Sequence, residues 1–561
     1  MRIKYSVLHI HGDNIVECER ALSLIKEAFG AETSAGPDIS ATCPVFKLRS
    51  EEYEEYITCT FYPGFGRWHH DILSSIRDMG GTLREAADVI VTGVKDDAET
   101  PLFAIEFCGA LPAGNQAWQR SGRAFSFGAA KVPYLYVSEL GGFELDGNRV
   151  RKAPRTPNPA VPFSYIAYSK EQDTPVFPVF LTAPGADEAS RKAYADEFAD
   201  KELRDLVRAR ILDADDSEIF DRLQKKVLSF VEKKAKSSRA GETLSSVQWS
   251  DAFKSLSPKN RLPEYLLKNV QQPWSKTAYI AALTDRAKEL MRLGSELGIG
   301  LTSTKLPMSL VSANNRANFA KQLEHLYGSL SQEFVAFLNK PEPLAVCWVN
   351  GFKPRGDDAR PDRGLPPLIR MLIGPEHDLL TVVYGPAPSD TWKLLDRNPG
   401  VLITRNGLWE VILETSNAIL AESSTDSDSK KGYTRSHWRA DLPEVKPQPF
   451  LVPPEPTRLG ENDVDTALHL LLAHLLGGDV FEGMCNPPGG DWSGVSILDS
   501  DRQSQLRWIS LPRVSGPDTK RPDHVFQFFP TQGGPIVLTV ESKETPRTLE
   551  DRIGPRLTAY L

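Results

Sequence analysis

The chain has 561 residues, and because single hydrophobic cores stop growing at roughly 250 to 300 residues, about three or four domains are expected. With 40% hydrophobic and 25% charged residues, a mean hydropathy of -0.32 and no apolar run of bilayer-spanning length, the composition predicts a soluble globular protein without membrane partners. A formal net charge of -8 argues against a protein that coats a polyanion over its whole surface, while leaving room for a local basic cleft.

The opening MRIKYSVLHIHGDN reaches histidines and Asp13 before any apolar segment of secretory type forms, so no signal peptide is read. Cys18, Cys43, Cys59, Cys108, Cys347 and Cys485 are scattered without a CxxC pair. Neither a disulfide framework nor a zinc site is indicated, and a reducing, cytoplasmic setting fits.

Residues 1–175 alternate short apolar runs (VLHI, ADVIVTGV, LFAIEFC, VPYLYVSEL) with helical patterns, which is an α/β signature. Residues 185–340 read as a helical domain, with apolar positions at spacings of three and four among charges. LAVCWVNGF, LLTVVYG, VLITRNG and LWEVILET make 341–422 a mostly β module, a candidate for recognition. Residues 423–459 are Ser/Asp-rich and then Pro-rich, the composition of a linker. Residues 460–561 form the last module, beginning with the helical pattern DVDTALHLLLAHLLGG.

Within this module, HVFQFF and PIVLTV flank TQGG and read as a β-hairpin. Folding about Gln532 and Gly533 sets Asp523 opposite Ser542, flanked by Glu541 and Lys543, which share a face because side chains alternate along a strand. Two carboxylates and an ammonium then converge. Mg2+ prefers carboxylate oxygens, so Asp523 and Glu541 make a cradle for it. Lys543 is placed to orient a water and stabilise transition-state oxygens. The bland alternative is a turn-capping Asp523 beside a surface ion pair.

Pro522-Asp523, a hairpin, then Glu541-x-Lys543 resembles the motif of the PD-(D/E)xK phosphodiesterase superfamily, which includes many restriction endonucleases. The resemblance covers about 100 residues. It implies a restriction-endonuclease-like mixed sheet flanked by helices, Mg2+-dependent hydrolysis of DNA phosphodiesters, and double-stranded DNA as substrate. A complete core of this kind continues with another strand, so truncation after Leu561 is suspected.

The first module repeats the pattern: Asp88 opens an apolar run and Glu106 ends the next, 18 positions on, the same interval as from Asp523 to Glu541. Upstream, GDNIVECERAL resembles GENDVDTALHL and aligns Glu17 with Asp465, candidate helix-borne metal ligands. Acids favoured at a helix N-terminus are the plainer account. Asp88, Glu106 and Glu17 are thus a second candidate catalytic and metal-binding set. Cys108 stands where lysine is expected, leaving catalysis in this copy open; Gln119, Arg120 and Arg123 are candidates either to replace the cation or to hold DNA phosphates.

In the β-rich module, Lys353, Arg355, Arg360 and Arg363 lie in one Gly-punctuated stretch, a DNA-contact loop or a self-neutralising turn. His69, His70 and Asp71 read as a solvated loop. The expectation is a multidomain α/β protein with two restriction-endonuclease-like modules around helical and β-rich centres, acting as a Mg2+-dependent DNA endonuclease of restriction or defence type. A homodimer is left open, and the rival is a non-catalytic DNA-binding or assembly subunit.

Overall fold

Alternate residues of VLHIHG point to one side of a strand, and this segment forms β1 (Val7–Gly12) in the computed structural model. The structure describes residues 3–560 except 38–41, 83–85, 109–119, 142–157, 184–185, 238–243, 257–261, 270–283, 301–307, 329, 351–363, 387–388, 398, 401–407, 427, 440–447, 472–478, 486–491, 494, 499–503, 506–510, 513–522, 530–533, 535, 544 and 550. Gln119, Lys353, Arg355, Arg360 and Arg363 therefore lie outside the described residues.

With β1, the strands β2 (Ala31–Ala35), β3 (Val45–Ser50), β4 (Ile57–Pro63), β5 (Val89–Lys95), β6 (Ala98–Cys108), β7 (Tyr134–Leu140) and β8 (Val176–Thr182) form a mixed sheet in the order β2-β3-β4-β1-β5-β6-β7-β8. Helix α1 (Ile15–Phe29) starts where the Asn14 side chain accepts the Glu17 amide at 3.0 Å and stops at Gly30, whose φ of 53° suits glycine. Helices α2 (Ile72–Asp78), α3 (Ser121–Ala129) and α4 (Ala160–Gln172) follow.

The expected helical stretch supplies α5 (Glu188–Ala193), α6 (Asp200–Leu212), α7 (Ser217–Ser237), α8 (Ser246–Ser255) and α9 (Leu262–Asn269). Their apolar faces pack back onto the first sheet's layers, α6 on α1 and α7 on α4 and β8. They continue the first module's core.

Residues 341–422, expected to be mostly β, instead belong to a second α/β unit extending beyond both ends of that range. It comprises α10 (Asp285–Leu297), β9 (Gly298–Gly300), β10 (Met308–Val311), α11 (Ala313–Tyr327), α12 (Gln332–Leu338), β11 (Leu344–Asn350), α13 (Leu365–Ile373), β12 (Asp378–Gly385), α14 (Ser389–Arg397), α15 (Leu408–Thr415), β13 (Ala418–Ser423), β14 (Lys430–Thr434) and α16 (Ser436–Arg439). The sheet order is β14-β13-β12-β11-β10-β9, and β11, β12 and β13 run parallel. Parallel neighbours need crossover helices and burial on both faces, which accounts for strands as uniformly apolar as DLLTVVYG. The wholly buried α13, LPPLIRMLI, is a crossover helix; LWEVILET, expected as a β run, is helix α15, and VLITRNG lies outside the described residues.

The expected linker is structured in two places. Residues 430–439 complete the second sheet as β14 and α16. Residues 448–456 lie as a strap on the first sheet: the Glu99 amide donates to Phe450 O at 2.7 Å, and Val452 is 1% exposed against Cys43, Tyr62 and Trp68. Proline restricts a strap before it docks, and the sheet supplies the apolar partners that composition alone could not show.

The last module comprises α17 (Glu461–His469), β15 (Asp479–Cys485), β16 (Trp492–Ser493), β17 (Val495–Leu498), β18 (Ser504–Gln505), β19 (Leu511–Pro512), β20 (His524–Phe529), β21 (Ile536–Val540) and α18 (Ile553–Tyr560). Its main sheet has the order β18-β17-β15-β20-β21. β20 and β21 pair antiparallel as expected, but His524 lies opposite Val540. Extending that register sets Asp523 against Glu541, one residue away from the expected partner Ser542. The expected α/β class with mixed sheets and flanking helices is present, and no helix among the described residues is long and apolar enough to cross a membrane.

Candidate active site

The β5–β6 hairpin pairs Val89 with Ile105, so Asp88 and Glu106 meet across its open end. Asp88 Oδ2 accepts the Phe107 amide at 2.8 Å. The fully buried Glu106 accepts Arg120 Nε at 2.7 Å and also bonds the Arg123 guanidinium. Burial works against ionising Glu106, but Arg123 and Arg120 outweigh it and hold its pKa below the usual carboxylate range. Asp88 is pushed well above that range by burial and by the nearby charges of Glu106 and Glu17.

Glu17 is buried and bonded to Arg20 Nη1 at 2.9 Å. The Arg20 guanidinium lies 3.7 Å from the centre of the Phe107 ring. In this cluster Glu17 and Glu106 are paired with three guanidiniums, Arg20, Arg120 and Arg123, while burial raises the pKa of Glu17 as it does that of Asp88. The guanidiniums already pair with the Glu17 and Glu106 oxygens that a divalent cation would need. Arg120 and Arg123, read from the sequence as DNA contacts or a replacement cation, are here counter-ions of Glu106, with about a third or less of each side chain exposed.

The C-terminal hairpin has the same backbone contact, with one ammonium in place of three guanidiniums. Asp523 Oδ2 accepts the Ser542 amide at 2.9 Å. Lys543 Nζ lies 2.8 Å from Glu541 Oε1, 2.9 Å from Glu461 Oε1 and 3.6 Å from Asp523 Oδ2. Burial raises the Asp523 pKa, and the charges of Glu541 and Asp465 raise it further. Burial lowers that of Lys543, but hydrogen bonds to Glu541 and Glu461 outweigh it, raise the pKa and keep the amine charged. Three carboxyl groups thus lie within 3.6 Å of one ammonium.

Helix α17 brings acids to this site because Asp463 fixes its start: Asp463 Oδ2 accepts the Gly460 amide at 2.7 Å while its other oxygen bonds Arg67. Asp463 is thereby committed to capping and docking, and Asp465 faces Asp523. The structure brings together Asp523, Glu541 and Lys543 of the sequence-derived set, with Asp465 near enough for its charge to raise the Asp523 pKa; their carboxyl oxygens are not gathered within 4.8 Å of one another. Glu461 joins it, a residue the sequence did not single out although it lies four positions before Asp465 on the same helical face.

A second group was also missed. His9 Nδ1 and His11 Nε2 donate to the two Glu99 oxygens at 2.8 and 2.9 Å, and all three residues are buried. Their ligand atoms lie within 4.8 Å of one another, a group able to hold a metal ion. Burial holds the His11 pKa below the usual histidine range. The signal was the His-x-His spacing on a strand, which puts both rings on one face. Among His69, His70 and Asp71, read as a solvated loop, Asp71 caps α2, and His70 bonds Ser75 at 2.6 Å and stacks on Phe450.

No family model, curated protein or solved structure matches this chain. The fold and sites define a mixed α/β protein with an acid-rich, lysine-containing hairpin end at its C-terminal sheet.

Proposed function

We propose that the chain is a Mg2+-dependent nuclease of PD-(D/E)xK type that hydrolyses phosphodiesters of double-stranded DNA at the C-terminal hairpin. The observation that carries this reading is Lys543 Nζ lying 2.8 Å from Glu541 and 3.6 Å from Asp523 within a net-acidic cluster. Excess carboxylate is what a hard divalent ion requires, and Asp523, Glu541 and Asp465 would hold it. Bound there, Mg2+ lowers the pKa of a coordinated water and offsets charge gathering at phosphorus. Lys543 keeps its proton and supplies a fixed positive charge to the phosphate oxygens. The Ser542 amide fixes the orientation of Asp523.

In this reading the N-terminal hairpin is a related but non-catalytic scaffold, because Arg120 and Arg123 already neutralise Glu106. Restriction or defence remains the proposed setting. The test is conversion of supercoiled plasmid to nicked or linear forms with Mg2+ and with EDTA. Cleavage only with Mg2+ supports the proposal; binding without cleavage across divalent ions favours a non-catalytic DNA-binding subunit.

A further inference from the structure

We propose that His9, His11 and Glu99 form a binding site for a zinc-class transition-metal ion that staples the 448–456 strap to the first sheet. β1 presents His9 and His11 on one face, and Glu99 at the start of β6 reaches the same place. Two imidazole nitrogens and one carboxylate suit zinc and its neighbours better than Mg2+, which prefers all-oxygen surroundings. Zinc bonds of about 2.0–2.1 Å need donor atoms roughly 3.3 Å apart. The three ligand atoms already lie within 4.8 Å of one another, with Glu99 oxygens 2.8 and 2.9 Å from the two histidine nitrogens.

The site is built into the fold. Glu99 Oε1 also accepts the Val452 amide at 2.8 Å, and Oε2 accepts Thr92 Oγ1 at 2.7 Å. Tyr62 stacks on His11 and packs tilted against His9, with ring centroids 4.7 Å away in both, and its hydroxyl donates to Val452 O at 3.0 Å. An ion here is therefore fixed to the strap through Glu99 and enclosed, a structural role. These protein donors also satisfy Glu99 without an ion, so the metal reinforces a docked strap and is not required to form it. Among the described residues His11 Nδ1 has no partner. Such an incomplete outer shell predicts affinity about 10–100-fold weaker than that of a fully supported site.

The test is independent of DNA cleavage. Full-length protein is dialysed with Co2+ or Zn2+, and metal content, visible Co2+ absorption and zinc-edge X-ray absorption are measured. A metal with an imidazole-containing nitrogen/oxygen shell is expected, that shell retained in Glu541→Ala and lost in the double variant His9→Gln/His11→Gln. If that variant does not fold, the wild-type zinc-edge spectrum decides by itself. No bound metal in wild type, a sulfur-containing or imidazole-free shell, or full retention in a folded double variant overturns the proposal.

Discussion

The Asp523 carboxylate accepts the Ser542 backbone amide at 2.9 Å, so the acid on one strand of the hairpin is fixed by the residue between Glu541 and Lys543 on the other. Asp88 takes the Phe107 amide in the same way, at 2.8 Å. What separates the two places is the cations: three guanidiniums in the first, one ammonium in the second.

Lys543→Ala should lower the cleavage rate by about 100- to 1,000-fold, the effect of deleting one preorganised electrostatic donor. Single-turnover cleavage alongside thermal melting checks this. A large rate loss with an unchanged melting temperature is expected.

Glu106→Gln should destabilise the fold by roughly 3 kcal/mol, because Arg120 and Arg123 lose the carboxylate that compensates them. Their partial exposure keeps the loss towards the low end. Since the Glu106 pKa is lowered on folding, its contribution is present above the usual glutamate pKa and disappears as pH falls through the lowered one. Denaturant titrations from neutral to acidic pH should show the wild-type advantage shrinking at the acid end.

Glu139 behaves in the opposite sense. Burial pushes its pKa up to about 8 despite the opposing charge of Arg20. A carboxyl whose pKa rises on folding contributes stability below its ordinary pKa and loses it as pH rises through the raised value. Glu139→Gln should therefore melt close to wild type in mild acid and above it in mild alkali, which calorimetry at two pH values resolves.

The 448–456 strap should resist amide hydrogen exchange, with Val452 and Glu99 protected together because each amide is held across the strap interface. Exchange as fast as that of an unstructured peptide would contradict the docked strap.

The hairpin, its 18-residue spacing and Asp465 on α17 were legible because alternation and helical periodicity are local signals. Register was missed by one residue, since it depends on turn geometry that composition does not specify. Arg120 and Arg123 were visible as cations, but their closure on Glu106, 14 and 17 residues earlier, depends on how α3 packs over the sheet. The His9–Glu99 contact spans 90 residues, and the strap lies more than 350 positions from the sheet it covers; no local pattern encodes either. The second sheet was misjudged because a fully buried helix and a buried strand have the same apolar composition.

The most direct measurement of the central claim is Mg2+-dependent cleavage of supercoiled plasmid by wild type, Glu541→Ala and Glu106→Ala at equal folded concentration. The account predicts loss of cleavage with Glu541→Ala and near wild-type cleavage with Glu106→Ala. Undiminished cleavage by Glu541→Ala would contradict it.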